Sequence, residues 1–371
     1  MSVDLDGSAR TGRWGALPEC CDLAPPPAEI RRQVDAAIDR RLHGAEGGSI
    51  FLSGGLDSSI VAFRAGATAE TRSLRALSIG YDVEGAEDET GYAGRMAEDA
   101  HLPWQRLPLA AAEVPGLLDE AARLTEDPIQ DPVTLPTVKL ARAAAAIGKV
   151  VLTGDGSDEI WGGYARFERL PATLDAYYRR TMIFTPEEVG LAQAPGSYFL
   201  ADPASSPLPL FDRVLRAEVL NRMRNYHLAR IDKIAMGVGL EPRSPFLDPA
   251  LVRFGLRIPA ALKSSGGRPK SCLIQAYPEL PEWLRNRRKQ PFSVPIHSWI
   301  SGPLRDFVHD ILDSPNAEVS ALVDPRPLRK RIGGAAPPDL HSLAQRIWSL
   351  LQLQVWFRTL ASDRGTAHAG G

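Results

Sequence analysis

Apolar residues along this chain change their spacing repeatedly, and each change marks an element. From Ala28 to Leu42, residues Ile30, Val34, Ala37, Ile38 and Leu42 recur at helical spacing, which predicts an amphipathic helix. Ile50-Phe51-Leu52 reads as a short strand, and Ile60-Val61-Ala62-Phe63 as the start of a helix. Leu74 to Tyr81 is apolar and β-prone, Glu87 to Ala100 has helical composition, and Trp104 to Leu109 reads as a strand. Glu113 to Leu124 is predicted helical, Asp127 to Pro132 carries prolines that bar a regular helix, Val138 to Ile147 is helical, and Lys149 to Thr153 is a buried strand. Strands alternating with helices predict an α/β fold with a parallel sheet flanked by helices. Ligands of such sheets bind beyond the carboxyl ends of the strands.

After about residue 165 the β-prone runs fade, and a mostly helical remainder is interrupted at Pro195, Pro203, Pro207 and Pro209. The expected organisation is a flexible tail over 1–27, an α/β core over 28–168, a helical part over 169–360 and a frayed end over 361–371. With 371 residues, 44% of them hydrophobic and 24% charged, the chain suits a soluble globular protein. A net charge of −2 supplies no global basic field, so nucleic acid is not expected as a partner. Three cysteines, Cys20, Cys21 and Cys272, form neither a disulfide framework nor a zinc pattern and fit a reducing compartment. No signal peptide is read in the first twenty residues and no run of about 18 apolar residues occurs, so a cytoplasmic protein without a membrane partner is expected.

The chemistry concentrates in two loops. Ser53-Gly54-Gly55-Leu56-Asp57-Ser58-Ser59 lies between a strand and a helix, where glycines allow close approach of an anion and free helical N–H groups favour negative charge. It is not a Walker A loop, since no lysine follows the second glycine at the required place. Asp57 would repel phosphate unless a divalent cation lay between them, so the loop reads as a site for Mg²⁺ with pyrophosphate or the polyphosphate of ATP. A small-residue turn that binds nothing is the plainer alternative. The second loop, Thr153-Gly154-Asp155-Gly156-Ser157-Asp158-Glu159, sets three acids within five residues at another strand end. Asp57 and Asp158 together suit one Mg²⁺; a solvated acidic turn is the bland rival, and the calcium-loop pattern is absent. His43, His101, His227 and His297 are scattered, with no nucleophile or metal set beside them.

These loops, with Gly162-Gly163-Tyr164, Arg230-Ile231-Asp232-Lys233, Glu241 to Asp248, Leu262-Lys263, Lys270 and Arg288-Lys289-Gln290-Pro291-Phe292, resemble in order and spacing the synthetase half of asparagine synthetases. The resemblance spans roughly residues 28–300. It implies an adenine-nucleotide α-hydrolase-like, PP-loop fold that adenylates a carboxylate with ATP and passes the acyl group to ammonia or another amine. By position it implies that Leu52 and Ile79 line the adenine and ribose pocket, that Thr153 and Gly154 contact the nucleotide, and that Ser53 to Ser59 wrap the pyrophosphate. It further implies that Asp57 and Asp158 hold Mg²⁺ and that Lys270 is a catalytic lysine, although an exposed lysine after Gly266-Gly267 would look the same. Asp155 stands where that family carries an acid linked to acyl-adenylate amination and where β-lactam-forming relatives carry tyrosine, which favours intermolecular amination. Arg243 and Asp248 suit either substrate orientation or an ion pair tying helix to loop, and Arg230 with Asp232 a structural salt bridge.

The chain departs from glutamine-dependent asparagine synthetases near its start. Ser2 follows Met1 and the first loop begins at Ser53, so the separate glutaminase domain is expected to be missing, with ammonia taken free or from a partner glutaminase. The carboxylate is then aspartate or a specialised acid, and a homo-oligomer is compatible. Rival readings are a β-lactam-synthetase-like or other natural-product cyclase, a nucleotide- or tRNA-modifying adenylating enzyme, and a non-catalytic nucleotide-binding subunit. The modifying class needs an RNA surface or a sulfur-carrying cysteine that this composition does not offer. The subunit reading predicts decay of acids that are in place.

Overall fold

The computed structural model describes residues 2–3, 9–10, 17–45, 47–67, 71–83, 89–190, 206–290, 292–314, 317–332 and 337–368. The expected breaks at Pro195 and Pro203, most of the first sixteen residues, the beginning of the Glu87–Ala100 helix and the last three residues lie outside them.

The central sheet has five parallel strands: β1 (Ser49–Phe51), β2 (Arg75–Tyr81), β3 (Trp104–Leu109), β4 (Val150–Leu152) and β5 (Glu241–Arg243), in the order β3-β2-β1-β4-β5. The registers Ser49↔Arg75 and Ser49↔Val151 seat β1 between β2 and β4, although about a hundred residues separate β1 from β4 in the chain. The strand order reverses there, and an open α/β sheet leaves its ligand crevice at that point. The edge strand β5 was not read from the sequence, because it is three residues long and contains Pro242. Proline is tolerated at a sheet edge, where one ladder side is unused.

Successive residues of a strand face opposite sides, so the inner strands β1, β2 and β4 feed two cores. On one face Ile50, Leu52, Ala76, Val150 and Leu152 pack with α1 (Pro27–Leu42), α2 (Leu56–Ala65), α3 (Thr90–Asp99) and the helices between 210 and 284. On the other Leu77, Ile79, Leu109 and Val151 pack with α4 (Val114–Thr125), α5 (Thr134–Ile147) and the helices from 296 to the long α-helix Pro337–His368. The five apolar residues predicted for the first helix, from Ile30 to Leu42, are all buried in α1. α5 begins four residues before the expected Val138, because Thr134, Leu135 and Pro136 occupy its first turn, where proline's missing N–H has no intrahelical acceptor to lose. Residues 17–26 run against the α-helix Pro249–Arg257, with Leu23 N–H donating to the Arg257 carbonyl at 3.1 Å. Residues 218–227 are wound as a π-helix, a rare form that is frequent at functional sites. Among the described residues no helix is long and apolar enough to cross a membrane.

Candidate active site

β1 ends at Phe51 and α2 starts at Leu56, so the first loop supplies both the turn and the first helical turn. Gly54 has φ +73°, and a Cβ there would stand 2.7 Å from the Ala93 backbone nitrogen, so only glycine fits. Ser53 N–H donates to Ser58 Oγ at 3.2 Å, and Gly55 N–H to Ser53 Oγ at 3.3 Å. These bonds curl the loop around the mouth of a cavity of about 400 Å³ at the β1–β4 switch point. Asp57 projects from the first turn of α2.

The second loop is pinned to the sheet edge. Thr153 N–H donates to the Arg243 carbonyl at 2.9 Å, and Thr153 Oγ1 lies 2.9 Å from Ser244 Oγ. Ser157 Oγ donates to Asp57 Oδ1 at 2.7 Å, which joins the two loops. Lys270 completes the junction, its Nζ 2.6 Å from Asp57 Oδ1 and 2.5 Å from Asp158 Oδ1. Lys289 Nζ lies 2.8 Å from Asp158 Oδ2 and 4.0 Å from Asp57 Oδ2. Lys270 is only 3% exposed, and burial of a charged group is costly unless it is paired. Burial opposes ionisation of Asp158, but the ammonium groups of Lys270 and Lys289 outweigh it and hold the carboxyl well below the usual range. For Lys289 burial is likewise overcome by Asp158 and Asp57, and its pKa rises. Gly163 makes this packing possible, since a Cβ there would meet Asp158 Oδ1 at 1.8 Å and Lys270 Cε at 2.1 Å.

Deeper in the cavity the chemistry changes. Glu159 is buried and accepts a hydrogen bond from the Tyr164 hydroxyl. Burial first, and then the charge of Asp158, pushes its carboxyl up to about 7. His227 Nε2 lies 3.8 Å from Glu159, and burial together with the charges of Arg230 and Arg222 pushes the imidazole well below its ordinary value. Arg230 is paired with Asp131, and both line the cavity.

Of the residues singled out from the sequence, Leu52, Ser53, Gly55, Asp57, Ser58, Ile79, Thr153, Gly154, Asp155 and Asp158 line this one cavity. Gly54 is buried behind the loop, with its carbonyl accepting from Arg287 at 2.7 Å. Ser59 is fully buried beneath it, and its hydroxyl has no partner among the described residues. Lys270 reaches the two aspartates from a neighbouring cavity of about 440 Å³ shared with Arg268 and Arg288.

The asparagine synthase family model matches residues 29–358. The chain belongs to the asparagine synthase family. Among its relatives, asparagine synthetase [glutamine-hydrolyzing] 1 of Bacillus subtilis is 23% identical over 378 residues, which cover 88% of this chain and 58% of that protein. Asparagine synthetase [glutamine-hydrolyzing] 1 of Saccharomyces cerevisiae is 27% identical over 349 residues, covering 78% and 53%. The amidase chry2 of Gibberella zeae is 24% identical over 424 residues, covering 92% and 62%. The chain thus spans little more than half the length of the curated relatives it matches.

Several site residues of this family member were not assigned from its sequence. Lys289, Glu159 and Tyr164 were visible only as motif members. His227 and Asp131 carry no spacing signal, because their partners come from other elements. The expected Arg230–Asp232 pair is replaced by Arg230 with Asp131, since residues two apart on a helix point to different sides. Arg243 donates to the carbonyls of Arg41 (2.9 Å) and His43 (2.7 Å), while Asp248 accepts two bonds from Arg40, each 2.9 Å. Arg243 thus ties the sheet edge, and Asp248 the start of the helix Pro249–Arg257, to the end of α1, outside the cavity.

Proposed function

We propose that this chain is an ATP-dependent amide synthetase that adenylates a carboxylate, releases pyrophosphate, and passes the acyl group from AMP to ammonia or another small amine. The convergence of Asp57 and Asp158 on Lys270 at the mouth of the switch-point cavity carries this reading. Mg²⁺ fits the pair: both carboxylates lie within hydrogen-bond reach of one Nζ, close enough to share a cation. Mg²⁺ prefers oxygen ligands and is commonly bound through one or two carboxylates together with phosphates and water. Held by Asp57 and Asp158, it would supply neutralising charge beside the phosphates.

The remaining roles belong to the chain itself. Leu52 and Ile79 offer apolar walls for a base, and Ser53, Gly55 and Ser58 offer donors for phosphate oxygens at the N-terminus of α2. An acceptor carboxylate attacks the α-phosphorus, and the bond to the departing pyrophosphate breaks. Lys270 and Lys289 are placed to stabilise the charge that collects on it. The amine then attacks the acyl carbonyl, AMP leaves, and Asp155, in the cavity lining, would take the amine's proton. Tyr164, Glu159, His227 and Arg230 form the deep wall that meets the acceptor.

Purified protein incubated with ATP, Mg²⁺, aspartate and ammonium, with AMP, pyrophosphate and amide mass followed together, tests the reading. Asparagine formed with equal AMP assigns aspartate and ammonia. AMP only with another acid moves the substrate while keeping the reaction. Hydrolysis to ADP, or no nucleotide turnover with any carboxylate of a broad panel, rejects it.

A further inference from the structure

A second cavity, of about 370 Å³, lies on the far side of the deep wall and has no part in the reaction above. Its lining includes Arg166, Arg180, Arg222 and Arg346, with Tyr177 and Gln345. Two carboxylates meet these four guanidinium groups. Glu218 is wholly buried and is engaged by Arg166 and Tyr177, each at 2.6 Å. Glu188 pairs with Arg346. The lining is therefore short of negative charge among the described residues.

The donors are also incompletely used. Arg222 Nε is 3.7 Å from Glu218, too far for a hydrogen bond, and is buried without a partner. Arg346 Nε is buried and unpartnered as well. Arg180 gives one bond, to the Arg169 carbonyl at 2.9 Å. Guanidinium groups are weakly hydrated forks whose geometry matches carboxylate and phosphate oxygens in pairs. A cavity of this volume is in the range that holds a small ligand.

We propose that this cavity binds a small multivalent oxyanion, a phosphate or a polycarboxylate, at a site separate from the ATP cavity. The two cavities stand back to back. Arg166 faces this one while stacking at 3.7 Å on the ring of Tyr164, which faces the other. The π-wound segment likewise gives Arg222 to the anion cavity and Met223 and His227 to the ATP cavity. The proposal does not depend on which reaction the ATP cavity performs.

Isothermal titration of the full chain, without Mg²⁺, with tripolyphosphate and separately with citrate tests it. The double variant Arg180→Ala/Arg346→Ala is expected to lose at least tenfold in affinity for the preferred anion while binding of ATP with Mg²⁺ stays within twofold. Lys270→Ala is expected to keep the anion affinity. Tighter citrate than tripolyphosphate identifies the ligand as a polycarboxylate, and the reverse order as a phosphate. Anion affinity unchanged in the arginine variant, or lost only in Lys270→Ala, overturns the proposal. Should the double variant fail to fold by circular dichroism, Gln345→Glu, which adds a carboxylate to the lining, is expected to weaken binding at least fivefold. Unchanged affinity in that variant overturns the proposal equally.

Discussion

Asp158 and Glu159 are adjacent in sequence, both are buried or nearly so, and they line the same cavity with different partners. At the loop end, Lys270 and Lys289 surround Asp158 and hold it ionised against the effect of burial. At the deep end, Glu159 meets a tyrosine hydroxyl and an imidazole kept neutral, and its carboxyl rises to about 7. Environment, not residue type, separates the two carboxyls: two ammonium groups hold one ionised, while burial beside a hydroxyl and an imidazole raises the other.

The sharpest break of that comparison is Lys270→Ala. If the loop end neutralises departing pyrophosphate, its release should slow on the order of 10²–10³-fold, as for loss of one preorganised electrostatic donor. A change of less than threefold in the pyrophosphate assay would reduce Lys270 to a structural tie.

Lys263, seven residues earlier in the chain, shows what an equally buried lysine does without a carboxylate clamp. It is fully buried, its Nζ has no hydrogen-bond partner, and burial lowers its pKa from 10.5 to about 8 despite Asp212 nearby. Between pH 8 and 10.5 the unfolded chain binds the proton that the folded chain has released, so this group's contribution to stability improves as pH rises through that window. The penalty is complete below pH 8 and gone above 10.5. Lys263→Met is therefore expected to stabilise by up to about 3 kcal/mol at pH 7, with the gain vanishing near the upper limit. Denaturant melts of both proteins at the two pH values measure it.

At the deep end, Tyr164→Phe removes the donor to Glu159. KM for the acceptor should rise about tenfold, in line with loss of a hydrogen bond to a charged group, while ATP affinity stays unchanged. An equal loss in both would mean that the two ends are not functionally distinct. The smallest effect is expected outside the cavity. Asp248 caps the helix Pro249–Arg257 by accepting from the N–H groups of Ala250 (3.0 Å) and Leu251 (3.3 Å). Asp248→Ala should cost about 1 kcal/mol in a thermal melt and leave kcat untouched. A fall in kcat would return Asp248 to the substrate-orienting role.

The two loops of the loop end were legible in the sequence because each is local, whereas Lys270 and Lys289 reach them from distant elements. Ser53 to Ser59 must turn between a strand and a helix, and Thr153 to Glu159 must do the same, so glycine spacing and acid placement survive reading in one dimension. The deep end was not legible. Asp131 comes from the segment before α5, Tyr164 from a turn, and His227 and Arg230 from the π-wound segment and the helix after it. None has a neighbour in sequence that reports its partner, and the π winding leaves no mark in the apolar spacing. The edge strand β5 escaped for a related reason, since three residues with a central proline carry almost no strand signal.

Alternating apolar periods, which reflect the 3.6 and 2.0 residue repeats of helix and strand, were enough to define an α/β fold, and the spacing of two glycine loops was enough to single out Asp57 and Asp158, which line one cavity. The tertiary structure alone decided that β1 and β4 are neighbours, that Lys270 and Lys289 close the gap between the aspartates, and that Glu159 is masked from solvent while Asp158 beside it is clamped. Local sequence sets backbone conformation over a few residues, whereas charge state depends on burial and on partners that only the folded chain brings within a few ångströms.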